Sequence, residues 1–369
     1  MVQSTKALIL EQHHQNTLLK ASAPPLMAQT AHDLSADELF APLDERMIAS
    51  AVEALEAGQT HYVDVPGIAP LRVALADYLH TAFSANYAQS NVIVTAGMQE
   101  SRFLTIQMIG DAFGRVAVPT VAHPGMRKAL GVRALNVDLI AVDERALPTL
   151  DGLRATFTAG ARLAYLESPA RLTGAAYSAA EVAAIAELAR AYDATIIWDQ
   201  GLAPWTAAYT SLASVQENAD RTVVIGETFP GMGLSSWFIG YIAAPEALIA
   251  PMQSQKQIMA ICTSTAAQYA ALEASKLYAE ALPVQRDRLT KLRATVITEI
   301  SAAHAVIPGE AVNVLALRLS PTTKASALAR FAAVGYSAAD GADFGAPDVV
   351  RLTVSPETSA ALAHSLQGA

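Results

Sequence analysis

RLAYLESPARLTGAAYSAAEVAAIAELARAYDATIIWDQ, residues 162–200, decides the fold. The apolar run 163–166 reads as a buried strand that ends in Glu167-Ser168-Pro169, and Thr173-Gly174 carries a turn. The next four residues of interest, SAAE (178–181), form a capping box. There the serine hydroxyl and the glutamate carboxylate each satisfy a backbone N–H that the helix itself leaves open. Val182, Ile185, Leu188, Ala189 and Tyr192 then recur at helical spacing, and residues 194–198 read as a second continuous apolar strand. Strand, helix and strand in this order make a βαβ crossover. Such units build parallel sheets covered by helices on both faces, whose ligands gather at the carboxyl ends of the strands. Asp199 stands at such an end.

The alternation continues on both sides. Before it, the pattern predicts helices over 44–58 and 70–83, a strand at 91–95, a helix over 98–110, a strand at 115–119, a short helix after Pro124 and a strand at 137–142. After it come strands at 222–226 and 237–244, a helix from Pro245 and a long helical stretch over 264–303 that bridges two domains. Beyond Pro308-Gly309 the pattern changes to short strands (312–319 and 349–354) around a helix at 324–333, a compact α+β unit. The expected division is an irregular N-terminal segment (1–44), a large α/β domain (45–284) and a small C-terminal domain (285–369).

Composition bounds the function. At 369 residues the chain exceeds the size at which one core stops growing, so two domains are expected, and 52% hydrophobic against 16% charged residues can fill them. A net charge of -9 argues against binding nucleic acid or an anionic membrane through bulk charge. Cys262 is the single cysteine, so no internal disulfide forms. The opening residues, MVQSTKALILEQHHQ, lack a cationic region leading into a long apolar one, and no window approaches the ~18 apolar residues of a membrane helix. Cytoplasm is the expected compartment.

Six segments resemble, in one order along nearly the whole chain, those of the class I/II aminotransferases, fold-type I enzymes dependent on pyridoxal phosphate (PLP). They are HYVDVPGIAPLRVALADYL (61–79), VIVTAGMQES (92–101), VPTVAHPGM (118–126), SPARLTG (168–174), IIWDQ (196–200) and DVVRLTVS (348–355). The resemblance implies an aspartate aminotransferase-like fold: a large domain with a mostly parallel sheet covered by helices, and a smaller α+β domain. It implies that Gly97, Met98 and Gln99 open a helix whose N–H groups cradle the cofactor phosphate. It puts His123 where an aromatic ring stacks on the cofactor, and Asp199 where a carboxylate keeps the pyridine nitrogen protonated. Arg351 matches the arginine that forks onto a substrate carboxylate. Tyr62 matches a tyrosine that reaches the neighbouring subunit's phosphate, which implies a homodimer.

The departures fall on the chemistry. Residues 223–245, where the family carries its Schiff-base lysine, contain no lysine. Anchored on Gly240-Tyr241, the resemblance puts Pro230 at the lysine, Glu227 at a phosphate-binding serine and Phe238 at a phosphate-binding arginine. Arg171 takes the place of the ring-facing asparagine and Leu202 that of a tyrosine, while Ala36-Asp37-Glu38-Leu39 replaces a substrate loop. Without the amine there is no internal aldimine and no base for the proton shift, so transamination is not expected. A like charge ~4 Å from the phosphate would cost on the order of 4 kcal/mol at an effective dielectric of ~20. The leading expectation is a divergent, non-transaminating enzyme or binding protein for an amino-acid-like or carboxylate ligand, with Arg351 and Arg171 as anion anchors and Asp199 with Glu227 as acidic partners. The alternative is PLP, or its aminated form PMP, used without a covalent link. A lesser reading has His123, Asp199 and Glu227 converge on a divalent ion.

Overall fold

A computed structural model describes residues 32–37, 43–132, 135–215, 218–300, 305–358 and 362. The irregular stretch expected at the start lies mostly outside these residues, as do Glu38 and Leu39. After a two-residue strand, β1 (His32–Asp33), come helices Glu45–Glu56 and Ala69–Phe83. Then follow β2 (Val92–Thr95), β3 (Arg115–Pro119), β4 (Asn136–Ile140), β5 (Leu163–Glu167), β6 (Thr195–Asp199), β7 (Thr222–Glu227) and β8 (Gly240–Ala243). These seven strands form one sheet in the order β2-β8-β7-β6-β5-β3-β4. Neighbours from β7 to β4 run parallel, and β8 is antiparallel to both β7 and β2. The sheet is therefore mostly parallel, as the crossover pattern requires.

Alternation inside the continuous apolar runs explains how both faces are buried. Ala164, Leu166, Ile196 and Trp198 pack with Val182, Ile185, Ala186 and Ala189 of helix Ala179–Ala191. Leu163, Tyr165, Ile197, Val223 and Ile225 point the other way, against Leu104, Ile106 and Met126. The capping box forms as read: the Glu181 N–H donates to Ser178 Oγ (3.3 Å), and the Ser178 N–H donates to Glu181 Oε2 (2.8 Å). Two local expectations need correction. The strand expected at 237–244 begins only at Gly240, because Ser235–Trp237 make a 3-10 turn and Phe238 takes a left-handed backbone, φ +48°. Helix Leu150–Thr158, with Thr149 accepting from the Gly152 N–H, was not anticipated at all.

A second sheet lies near the C-terminus: β9 (Ala305–Ile307), β10 (Val314–Arg318), β12 (Ala339–Asp340) and β13 (Val349–Thr353), in the antiparallel order β12-β13-β10-β9. β1 pairs with β11 (Tyr336–Ser337) in a separate two-stranded sheet, and the Leu34 carbonyl accepts from the Thr353 N–H of β13. Helix Thr265–Ile300 has Ala267, Ala270, Ala271 and Ala274 in the core of the large sheet, and Val296 and Ile300 in the core of the small one. Among the described residues no helix is long and apolar enough to cross a membrane.

Candidate functional site

The carboxyl ends of three adjacent strands deliver three carboxylates: Glu167 on β5, Asp199 on β6 and Glu227 on β7. The chain leaving β2 supplies Gly97–Gln99, and the chain leaving β3 supplies His123. Parallel strands place all of these on one edge of the sheet.

Asp199 is fully buried and saturated. Its Oδ1 accepts from Arg171 Nη2 (2.7 Å), Arg171 Nε (3.0 Å) and the Gly201 N–H (3.1 Å). Its Oδ2 accepts from the Tyr165 hydroxyl (2.9 Å), Arg102 Nη2 (3.0 Å) and Arg102 Nε (3.2 Å). Burial alone would raise this carboxyl, but the charges of Arg171 and Arg102 outweigh it and hold it at about 2. Gly201 is required by the packing, since a Cβ there would lie 1.8 Å from Arg171 Nη2.

Arg171 extends the network outward: its Nη1 donates to Asp37 Oδ2 (2.9 Å) and Glu227 Oε1 (3.2 Å). Arg351 comes from β13 in the small sheet and is equally engaged. Its Nη2 donates to Asp37 Oδ1 (2.6 Å), its Nη1 to the carbonyls of Ser35 (2.8 Å) and Ala36 (3.2 Å), and its Nε to the Arg171 carbonyl (2.9 Å). Asn313 holds the Asp37 carbonyl (2.9 Å) and Thr353 holds that of Ala36. Arg351 and Arg171, expected as anchors for a ligand anion, thus meet an internal carboxylate in this structure. Asp37, carried by the N-terminal segment, already occupies both. Burial pushes Asp37 up, but Arg351 and Arg171 outweigh it and keep it well below the usual carboxylate range.

His123 is neutral and oriented. Burial and the Arg102 charge push it well below the ordinary histidine value. Its Nδ1 accepts from the Gly125 N–H at 2.9 Å, so the single ring proton sits on Nε2, 3.8 Å from Asp37 Oδ2. An Nε2 that carries a proton has no lone pair for a metal ion or for general-base work. Among the described residues no group of histidine, cysteine and carboxylate side chains is placed to hold a metal. The reading in which His123, Asp199 and Glu227 converge on one ion fails on the geometry: both Asp199 oxygens face arginines.

Glu227 and Glu167 behave unlike Asp199. Burial outweighs Arg171 and raises Glu227, while burial and the charge of Asp199 raise Glu167. Glu167 Oε1 accepts from the His123 N–H (2.7 Å) and lies 3.0 Å from the Tyr165 hydroxyl, whose one proton goes to Asp199.

Beside the network lies a cavity of about 270 Å³. Its lining includes the polar and charged side chains of Asp37, Gln99, Arg102, His123, Glu227 and Thr228 and the apolar ones of Met98, Pro230, Leu234, Phe238 and Ile239. Among the described residues no lysine lines it. Lys256 is buried elsewhere, held by Glu100 (2.9 Å) and Thr263 (3.2 Å), and Lys128 is exposed. Leu202 packs with Trp205, Ala311 and Val314 in an apolar cluster. Tyr62 does not reach the cavity: it is 79% exposed and stands beside Cys262–Thr265.

The family description "Aminotransferase class I and II" matches residues 33–366. The chain belongs to this family. YugH of Bacillus subtilis (strain 168) is 30% identical over 233 residues, 62% of this chain and 60% of that protein. The aspartate/prephenate aminotransferase of Thermus thermophilus is 26% identical over 333 residues, 87% of this chain and 85% of that enzyme. The fold matches the crystal structure of the aromatic aminotransferase of Pyrococcus horikoshii with a TM-score of 0.84 at 20% identity, over 95% of this chain and 97% of that one. The seven-stranded, mostly parallel sheet with a small antiparallel C-terminal sheet is thus the aspartate aminotransferase fold.

Sequence reasoning passed over several residues of the site, Asp37 and Arg102 among them. Asp37 was visible only as part of a replaced loop. Arg102 carried a readable signal: it lies four residues after Met98, on the buried face of helix Gly97–Leu104. An arginine on a core-facing stripe demands a buried carboxylate partner.

Proposed function

We propose that this class I and II aminotransferase-family chain does not perform PLP-dependent transamination, and that its cleft at the strand ends is a binding or catalytic site for a small ligand. The observation that carries this reading is Asp199. A pyridinium N–H needs an accepting carboxylate oxygen, and both oxygens here are saturated by Arg102, Arg171, Tyr165 and Gly201. PLP does not fit these residues. Pro230 stands at the position we align with the Schiff-base lysine, and no described lysine lines the cavity. Glu227 and Phe238 stand where the resemblance places groups that hold a phosphate.

Absorbance of the purified protein mixed with PLP tests the reading. No band near 400–430 nm should survive dialysis; one that persists and shifts on borohydride reduction would show an imine and end the proposal. PMP, which needs no lysine for binding, is tested by melting temperature. A bound ligand must stabilise the native state, so saturating PMP is expected to leave the midpoint unchanged.

We further propose a homodimer. Ile48, Val52 and Leu55 recur at i, i+4 and i+7 on helix Glu45–Glu56, each 45–48% exposed, while Met47, Ala51 and Ala54 face the core. This second apolar stripe, together with the exposed Tyr62, suits burial against another copy. Light scattering should give twice the chain mass, and Ile48→Glu should shift it toward the monomer.

A further inference from the structure

We propose that the cavity beside the strand ends recognises an amine, with a ligand ammonium group held by the carboxylates of Glu227 and Asp37 and by the hydroxyl of Thr228, and an apolar body resting on Pro230, Leu234 and Ile239. The inference rests on the cofactor-free reading above and names the ligand class of that site.

Accessibility of the charges is the first ground. The guanidinium groups that meet Asp199 are out of reach of a ligand: the side chains of Arg171 and Arg102 are 0% and 3% exposed. Asp37 and Glu227, their outward partners, are 19% and 21% exposed and line the cavity. A ligand therefore meets acceptors first, with the compensating cations behind them.

Incomplete hydrogen bonding is the second. Thr228 is buried, lines the cavity, and its Oγ1 has no partner among the described residues. Glu227 Oε1 is engaged by Arg171, whereas no described group donates to Oε2. A buried hydroxyl without a partner costs about 1–3 kcal/mol, which a donor in the cavity would recover. An ammonium group has three N–H donors and no acceptor, the complement of a carboxylate oxygen and a hydroxyl lone pair.

The feature that would favour an anion is the first turn of helix Gly97–Leu104, whose residues Gly97, Met98 and Gln99 line the same cavity. That end already has its own carboxylate: Glu100 accepts from the Ala96 N–H and is paired with Lys256 at 2.9 Å. The neutral His123 adds no cation there. A dianionic phosphate would meet Glu227 and Asp37 across a small cavity, and among the described lining residues the cation, Arg102, is buried and already committed to Asp199.

Calorimetric titration of the protein, purified without PLP, with n-butylammonium, 1-butanol, butyrate and inorganic phosphate tests the assignment. Butylammonium should bind, and butanol, butyrate and phosphate should not. Glu227→Gln should weaken the amine by about tenfold or more, and the isosteric Thr228→Val by severalfold, with both variants folded by melting temperature. Absence of amine binding, preference for butyrate or phosphate, or an unchanged affinity in folded Glu227→Gln would each overturn the inference. A stable PLP imine would instead overturn the reading beneath it. A chain that forms no imine and also ignores the amine removes this inference alone.

Discussion

Asp199 ends β6 and Glu227 ends the adjacent β7, so the two carboxylates share a sheet edge and one arginine, Arg171. Desolvation acts on both in the same direction. Asp199 adds a second guanidinium, a tyrosine hydroxyl and a backbone amide, and is held at about 2; Glu227 has Arg171 alone and is raised. Asp199 is completely enclosed, whereas the Glu227 side chain is 21% exposed and lines the cavity. The number of donors that reach a buried carboxylate, rather than its burial, decides whether it serves the structure or remains available to a ligand.

The same isosteric change at the two strand ends should therefore give opposite results. Asp199→Asn removes the only anion between Arg102 and Arg171, leaving two buried cations facing each other. Removing one partner from a buried ion pair typically costs about 3–5 kcal/mol, and denaturant unfolding should show a loss of at least this size. A loss below ~1 kcal/mol would mean that the strand end is wetter than the packing implies.

Arg102→Leu makes Asp199 resemble Glu227, with one arginine remaining. Asp199 keeps Arg171, Tyr165 and Gly201, so the expected loss is about 1.5–3 kcal/mol, the range for hydrogen bonds to a charged group. The acid limb of the stability curve should move as well. A depressed folded value contributes stability above the unfolded value and loses it as pH falls through the folded value. With Arg102 gone the Asp199 value moves toward the unfolded one, so less stability is lost as the carboxylate protonates: the variant's deficit should be largest at neutral pH and shrink as pH falls, giving a shallower acid limb than in the wild type.

How far this comparison was legible in the sequence depends on range. The capping box at Ser178, the apolar runs of β5 and β6 and the strand-end place of Asp199 rest on neighbours in the chain, and local patterns read them correctly. Phe238 shows where local reading stops: the apolar run 237–244 looks like strand throughout, yet a left-handed residue delays β8 to Gly240. The occupancy of the arginines was not legible, because it depends on Asp37, 134 residues from Arg171 and 314 from Arg351. Arg351 lies on β13, which the N-terminal segment meets through the Thr353 N–H bonded to the Leu34 carbonyl, and no periodicity records that a carboxylate from that segment would fill the fork. The resemblance singled out Arg351 for a ligand carboxylate. Only the packing shows that its donors are taken.

Glu227→Gln carries the smallest effect and the clearest sign. A folded value raised above the unfolded one means that the ionised form is disfavoured in the native protein. Glu227 thus detracts from stability at neutral pH, and that penalty fades as pH falls through the folded value toward the unfolded one. Glutamine removes the ionisation and keeps an oxygen for Arg171. The variant should equal the wild type at neutral pH or exceed it by less than ~1 kcal/mol, and the gap should close as the pH is lowered toward the unfolded carboxyl value near 4.5. Chemical denaturation at two pH values decides the matter. A destabilisation that grows toward neutral pH would mean that Glu227 is a structural ion-pair partner like Asp199, and the contrast between the two strand ends would collapse. A small gain at neutral pH, together with the loss of amine binding, would show a carboxylate maintained against stability, the trade expected where a group serves a ligand.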